Sequence, residues 1–255
     1  PMPDALQVGS LSLASIGAAL REGAQVMRAN LGVSVGYAAI FALIGLVIAL
    51  LLGGSMAPLI LTVSGGFMLV GPALLAGYFR VARLHLAGRT ATMGDLLSGF
   101  REASVQVWAL ALVCALLLLI WLTDAGILYS FMVGGERISV FDIPLAQLLA
   151  QRVGNYLGWS TLMGAVLAFI IFAISAFSVP LLCAGRAGLV RAVSASVRAV
   201  FANFGVVMVW AVLISVLTIG SILVLPLFLV VFPLLAYASD AIYRRAFPED
   251  SPATN

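Results

Sequence analysis

Catalysis needs side chains that carry protons, attack an electrophile or hold a metal, and this chain offers few of them. His85 is its sole histidine, set between Arg83 and Arg89. Haem or copper ligation by histidines takes several, and a Ser–His protease needs a histidine beside its nucleophile within the membrane. Cys114 and Cys183 stand singly inside apolar runs, with no Cys-x-x-Cys or Cys/His spacing. They read as two small buried hydrophobes, not as a metal site or a disulfide. A two-aspartate protease needs paired acids at membrane depth, and Asp124 is the one candidate. No catalytic, cofactor-binding or metal-binding residue is therefore expected, and the chain is not expected to be an enzyme.

The polar residues that remain are Asp124, Asp240, Asn30 and Asn203. A carboxylate within a bilayer is costly and draws attention as a functional candidate. About 18 residues of helix separate Asp124 from the start of its apolar run, a rise of roughly 27 Å, which puts it near the far interface. Asp240 lies four residues before Arg244, a spacing suited to an ion pair on one helix face.

These residues are positioned by long apolar segments. Of the chain's 255 residues, 63% are hydrophobic and 9% charged, against about 25% charged in soluble domains. A water-facing fold could not hide that surface, and lipid is the solvent that fits. Six segments are long enough to cross a membrane, each needing about 20 apolar residues: about 31–53, 57–80, 106–131, 156–183, 204–224 and 226–243. They are continuous, without the alternation of a barrel strand, so the expected class is an all-α membrane protein of six transmembrane helices. The N-terminal PMPDALQVGS has no basic region leading into an apolar stretch, so no cleaved signal peptide is expected.

All basic residues are arginines, at a net charge of +3. They are spread too thinly for nucleic acid and read instead as a topology signal. Arg21 and Arg28 precede the first span. Arg80, Arg83, Arg89 and Arg101 lie between the second and third, and Arg186, Arg191 and Arg198 between the fourth and fifth. Arg244 and Arg245 follow the sixth. Only Arg137 and Arg152 fall on the other side. The positive-inside rule then places both termini in the cytoplasm of a bacterial inner membrane. Arg21, Arg28, Arg80, Arg83, Arg191, Arg198, Arg244 and Arg245 are the expected contacts to lipid headgroups.

The spans read as three copies of one unit, about 11–85, 92–184 and 185–245, within one membrane domain over 1–245 that ends in a polar tail, 246–255. Each unit is a short amphipathic segment, an ascending helix and a descending helix with a proline. Ala29-Asn30-Leu31-Gly32-Val33 matches Ala202-Asn203-Phe204-Gly205-Val206, and seven residues after each asparagine stand Tyr37-Ala38 and Trp210-Ala211. The descending helices share Pro72-Ala73-Leu74-Leu75-Ala76, Pro180-Leu181-Leu182-Cys183-Ala184 and Pro233-Leu234-Leu235-Ala236. Pro72, Pro180 and Pro233 should each kink its helix, since proline removes an N–H and clashes with the carbonyl four residues earlier. In 11–29, Leu13, Ile16, Leu20 and Met27 oppose Arg21, Gln25 and Arg28. In 184–203, Leu189, Val193, Val197 and Val200 oppose Arg191, Ser194 and Arg198. Thr92 and Asp95 have capping-box spacing. Such helices are expected to lie in the cytoplasmic headgroup layer, apolar side down.

Gly71-Pro72 with the exit Arg80-x-x-Arg83, Ser98-Gly99-Phe100-Arg101, Trp121, Ser178-Val179-Pro180-Leu181-Leu182, and Asn203 followed by Trp210 together resemble an uncharacterised family of bacterial integral membrane proteins. Its members carry the labels "domain of unknown function" or "cytochrome c oxidase subunit". The family places an acid after Pro-Leu-Leu, where this chain has Cys183-Ala184-Gly185-Arg186. The resemblance implies a respiratory setting, and the single histidine limits that to a non-catalytic accessory, assembly or supernumerary subunit. Its partners would be membrane lipids and other integral membrane proteins. The alternative is a transporter or channel for a small neutral or lipidic solute, gated by the proline-bearing helices.

Overall fold

The computed structural model describes residues 6–51, 57–132 and 151–248. Residues 133–150, which include Arg137, and residues 249–255 of the polar tail lie outside these. The regular structure described is helical: α1 Leu13–Ala29, α2 Leu31–Leu51, α3 Ala57–Leu86, α4 Met93–Arg101, α5 Val105–Met132, α6 Gln151–Ser175, α7 Ser178–Cys183, α8 Leu189–Ala202, α9 Phe204–Leu223 and α10 Leu225–Ala246.

Four stretches among the described residues are long and apolar enough to cross a membrane: Val105–Met132, Gly154–Cys183, Phe204–Ser221 and Pro226–Ala246. The pair α1 and α2 also passes when taken together, but is bent by 95° at Asn30, so α1 lies across the direction of α2. That makes four candidate spans, or five with the bent pair, where the sequence predicts six. The difference falls on α2 and α3, whose ends nearest residues 52–56 are only partly described.

Helices stand where the three amphipathic segments were expected. The Thr92–Asp95 pair forms a reciprocal cap on α4: the Asp95 N–H donates to the Thr92 hydroxyl, and Asp95 Oδ2 accepts from the Thr92 N–H at 2.9 Å. The faces that pack overlap the apolar faces read from sequence, with Ile16, Met27 and Val200 buried and Leu20, Leu189 and Val193 packed against the core, but small residues are added at their centres. On α1 the buried residues are Ile16, Ala19, Gly23, Val26 and Met27, while Leu13 is 63% exposed. On α8 they are Ala192, Ala195, Ser196, Ala199 and Val200. Small residues occupy the centre of both faces because the covering surface is another helix, and close helix approach selects small side chains over large ones.

α1 packs on α10, α4 on α3, and α8 on α6 and α7. Two of these contacts are backbone against backbone. A Cβ on Gly23 would sit 2.8 Å from the Ala238 nitrogen. One on Gly99 would sit 2.9 Å from Gly77 Cα.

The prolines divide into two kinds. Pro72 and Pro233 lie inside α3 and α10. Pro180 follows a local interruption within the one apolar stretch Gly154–Cys183: α6 stops at Ser175, and α7 restarts at Ser178 with Pro180 in its first turns. Near a helix start the missing N–H costs little, so the chain accommodates this proline by breaking. α8 fills the break. The Ser196 hydroxyl, on a fully buried residue, donates to the Ala173 carbonyl at 2.8 Å and accepts from the Phe177 N–H at 3.1 Å. It thereby bridges the donor and acceptor that an unbroken helix would have paired with each other.

Candidate functional site

The polar groups gather at the end of the bundle where α1, α4 and α8 lie. Asn30 and Asn203 form its two elbows. Asn30 sits between α1 and α2 and Asn203 between α8 and α9, and each returns its amide to a carbonyl four residues back: Asn30 to Val26 at 3.0 Å, Asn203 to Ala199 at 3.3 Å. Each amide oxygen accepts from a segment that leads into another short helix, α4 or α1. Asn30 Oδ1 takes the Ala91 N–H at 3.4 Å, just before α4. Asn203 Oδ1 takes the Leu11 N–H at 2.6 Å, just before α1, while its Nδ2 also donates to the Gly9 carbonyl at 3.1 Å. Asn203→Leu strands these buried groups at about 1 kcal/mol or more each. It should lower the thermal midpoint by several degrees and make residues 6–12 the first segment cut by protease.

The C-terminal helix is tied in by charge. Glu22 on α1 accepts from Arg244 and, at 2.8 Å, from Arg245. Arg244 also pairs with Asp240 at 2.9 Å, the spacing read from sequence. Arg244 and Arg245, expected at headgroups, thus hold Glu22 and Asp240. Arg186 donates to the Phe247 carbonyl at 2.8 Å and to the Tyr243 hydroxyl at 3.3 Å, closing the C-terminal end of α10. Burial pushes the Glu22 carboxyl up, but the two guanidinium groups outweigh it and hold its pKa below the ordinary value of 4.5. A lowered folded pKa means that the tie stabilises above the unfolded value and is lost as pH falls through the folded one. Glu22→Gln should therefore cost about 1–2 kcal/mol at neutral pH. The gap between wild type and variant should close on titration below pH 4.5, as read by thermal unfolding at a series of pH values.

A cleft of about 290 Å³ opens between α3, α4 and α7, lined by Arg80, Arg83, Glu102, Ser104, Cys183 and Gly185 among others. Arg80 Nη1 meets Glu102 Oε2 at 2.6 Å, and Arg83 Nη1 donates to the Cys183 carbonyl at 3.1 Å. On α4 nearby, the Thr92 hydroxyl and backbone N–H hold the Asp95 carboxyl below its ordinary range.

The other candidates are spread out. Arg21 turns back to the Gly17 carbonyl at 3.3 Å. Arg28, Arg191 and Arg198 are exposed, as is Asp124 on α5. Among the described residues, no three of His, Cys, Asp and Glu come together in a metal-binding arrangement. Sequence reasoning missed Glu22, although it is the only acid between Asp4 and Asp95, and that isolation was a signal. It also missed the tyrosine cluster, naming Tyr37 only as part of the repeat. Tyr37, Tyr78 and Tyr237 are fully buried, with edge-on rings 5.2 and 5.4 Å apart. The Tyr237 hydroxyl bonds Ser34 Oγ at 2.7 Å, and the Tyr78 hydroxyl donates to the Ser34 carbonyl at 3.1 Å.

Residues 59–184 match the family described as "predicted integral membrane protein (DUF2189)". The matched stretch runs from α3 to the end of α7 and holds most of the cleft lining. No curated protein and no solved structure matches the chain.

Proposed function

We propose that this predicted integral membrane protein is a non-catalytic accessory, assembly or supernumerary subunit. It would work beside other integral membrane proteins of the bacterial inner membrane, in a respiratory complex by the resemblance drawn above. The observation that carries the reading is how the polar side chains are used. Asn30, Asn203, Glu22, Asp240, Arg186 and Arg244 all bond to the protein's own backbone or charges. Outward faces of α5, α6 and α9 are meanwhile apolar: Leu116 and Ile120, Leu162 and Val166, Val212 and Val216 are all half or more exposed. Such surfaces suit lipid tails and the flanks of other membrane helices.

In this reading α2 and α3 complete six spans. The chain is three hairpins, α2–α3, α5–α7 and α9–α10, each led in by an amphipathic helix that rests on the descending helix of the hairpin before it, with α1 closing the ring onto α10. Supporting this are the three helix pairings and the equivalent bonds of Asn30 and Asn203. The arginine distribution favours cytoplasmic termini. The reading as a transporter or channel needs a crevice at mid-depth, and the plugging of the α6–α7 break by Ser196 favours packing over gating there. The test is mild extraction from the native membrane, followed by mass spectrometry of what co-purifies at fixed stoichiometry. Repeated recovery of the chain alone would defeat the proposal.

A further inference from the structure

We propose that the cleft between α3, α4 and α7 binds a phosphate group, carried either by an anionic lipid headgroup or by a small soluble phosphate ester. The proposal does not depend on which membrane proteins the chain sits beside. The charged side chains on the cleft wall are Arg80, Arg83 and Glu102, a net positive charge. Each guanidinium has five N–H donors in a planar fork that matches phosphate geometry. One nitrogen of Arg80 is used on Glu102 and one of Arg83 on the Cys183 carbonyl, so most donors stay available.

Glu102 is the internal stand-in for the ligand. Its side chain is 64% exposed, so its pairing with Arg80 is screened by water and readily exchanged. A dianionic or diester phosphate offers more acceptor oxygens to the same fork. Much of the remaining wall is made of small residues. Ala103, Ala184 and Gly185 are among them, and a Cβ on Gly185 would meet nothing within 4 Å. The volume of about 290 Å³ is at the lower edge of small-molecule sites, about 300 Å³. It admits a phosphate with its glycerol or a similar fragment, while acyl chains would have to lie outside. The cleft also sits where α3 and the apolar stretch Gly154–Cys183 end, which is the level a headgroup would occupy.

The full chain in phosphatidylcholine nanodiscs is tested in two arms. In one, phosphatidylglycerol is doped into the discs and its retention is read by native mass spectrometry. In the other, sn-glycerol 3-phosphate is titrated calorimetrically into undoped discs. Arg80→Gln with Arg83→Gln should weaken binding about tenfold or more, the value of a lost charged hydrogen bond. Arg89→Gln, at an exposed arginine outside the cleft lining, should leave it unchanged. Glu102→Gln, which removes the competing carboxylate, should tighten binding severalfold. A response confined to the first arm identifies a lipid, and a response in the second identifies a soluble ester. Binding that ignores the double variant, or that falls equally with Arg89→Gln, overturns the proposal. If the double variant fails to fold, Glu102→Gln decides: no gain in either arm overturns it.

Discussion

Gly23→Leu should release α1 from α10. A side chain at this position would meet the Ala238 nitrogen at 2.8 Å and the Leu234 carbonyl at 3.0 Å. Both are backbone atoms of a long helix and cannot swing aside. Overpacking a core usually costs 1–3 kcal/mol and more where nothing can give, so about 3 kcal/mol is expected. Detachment would also separate Glu22 from Arg244 and Arg245 and leave Asp240, 3% exposed, with Arg244 alone. An opening made easier by about 3 kcal/mol is populated roughly a hundredfold more. Trypsin should then cut after Arg21 and Arg28 about that much faster when opening and closing outpace cleavage. Gly17→Leu is the control, because a Cβ there has nothing within 4 Å. If α1 rested on lipid alone, as its sequence pattern suggests, Gly23→Leu would add apolar surface and tighten it.

Ser196→Ala should loosen the break between α6 and α7. The hydroxyl serves both the Ala173 carbonyl and the Phe177 N–H. Alanine leaves both without a partner in a dry contact, at about 1–3 kcal/mol each. The total, about 2–6 kcal/mol, should appear as a lower thermal midpoint in detergent and as faster hydrogen exchange at the Phe177 amide. Ser194→Ala, at an exposed position on the same helix, should change neither. An unchanged midpoint for Ser196→Ala would mean that Pro180 holds the break unaided.

Local chemistry made much of this fold readable before any coordinates. Apolar length marked the candidate spans. The Asn-x-Gly signature fell at the two elbows, where an amide can replace a helix's own donor and still reach a neighbouring loop. The Asp240–Arg244 spacing and the Thr92–Asp95 cap depend only on helix periodicity, and both form. Other features were not readable because they depend on what lies opposite. A periodic pattern identifies a face but not whether lipid or protein covers it, so Leu13 was overrated and Ala19 and Gly23 were passed over. The pairing of Glu22 with Arg244 spans 222 residues, and that of Asn203 with Leu11 spans 192. Neither follows from a local window. A proline motif likewise looks the same whether its helix bends or breaks. Only the docking of Ser196 distinguishes Pro180 from Pro72 and Pro233.

The central claim is that the arginine-bearing end of this helical bundle lies on one face of a membrane. It is tested most directly by single cysteines in a Cys114→Ser, Cys183→Ala background, placed by Arg21→Cys, Arg89→Cys, Arg198→Cys and Asp124→Cys. A membrane-impermeant maleimide is applied to right-side-out and to inverted vesicles. The first three should react only in inverted vesicles, and Asp124→Cys only from the outer face. Labelling of the three arginine positions from opposite faces, or recovery of the chain in an aqueous wash without detergent, would contradict the account.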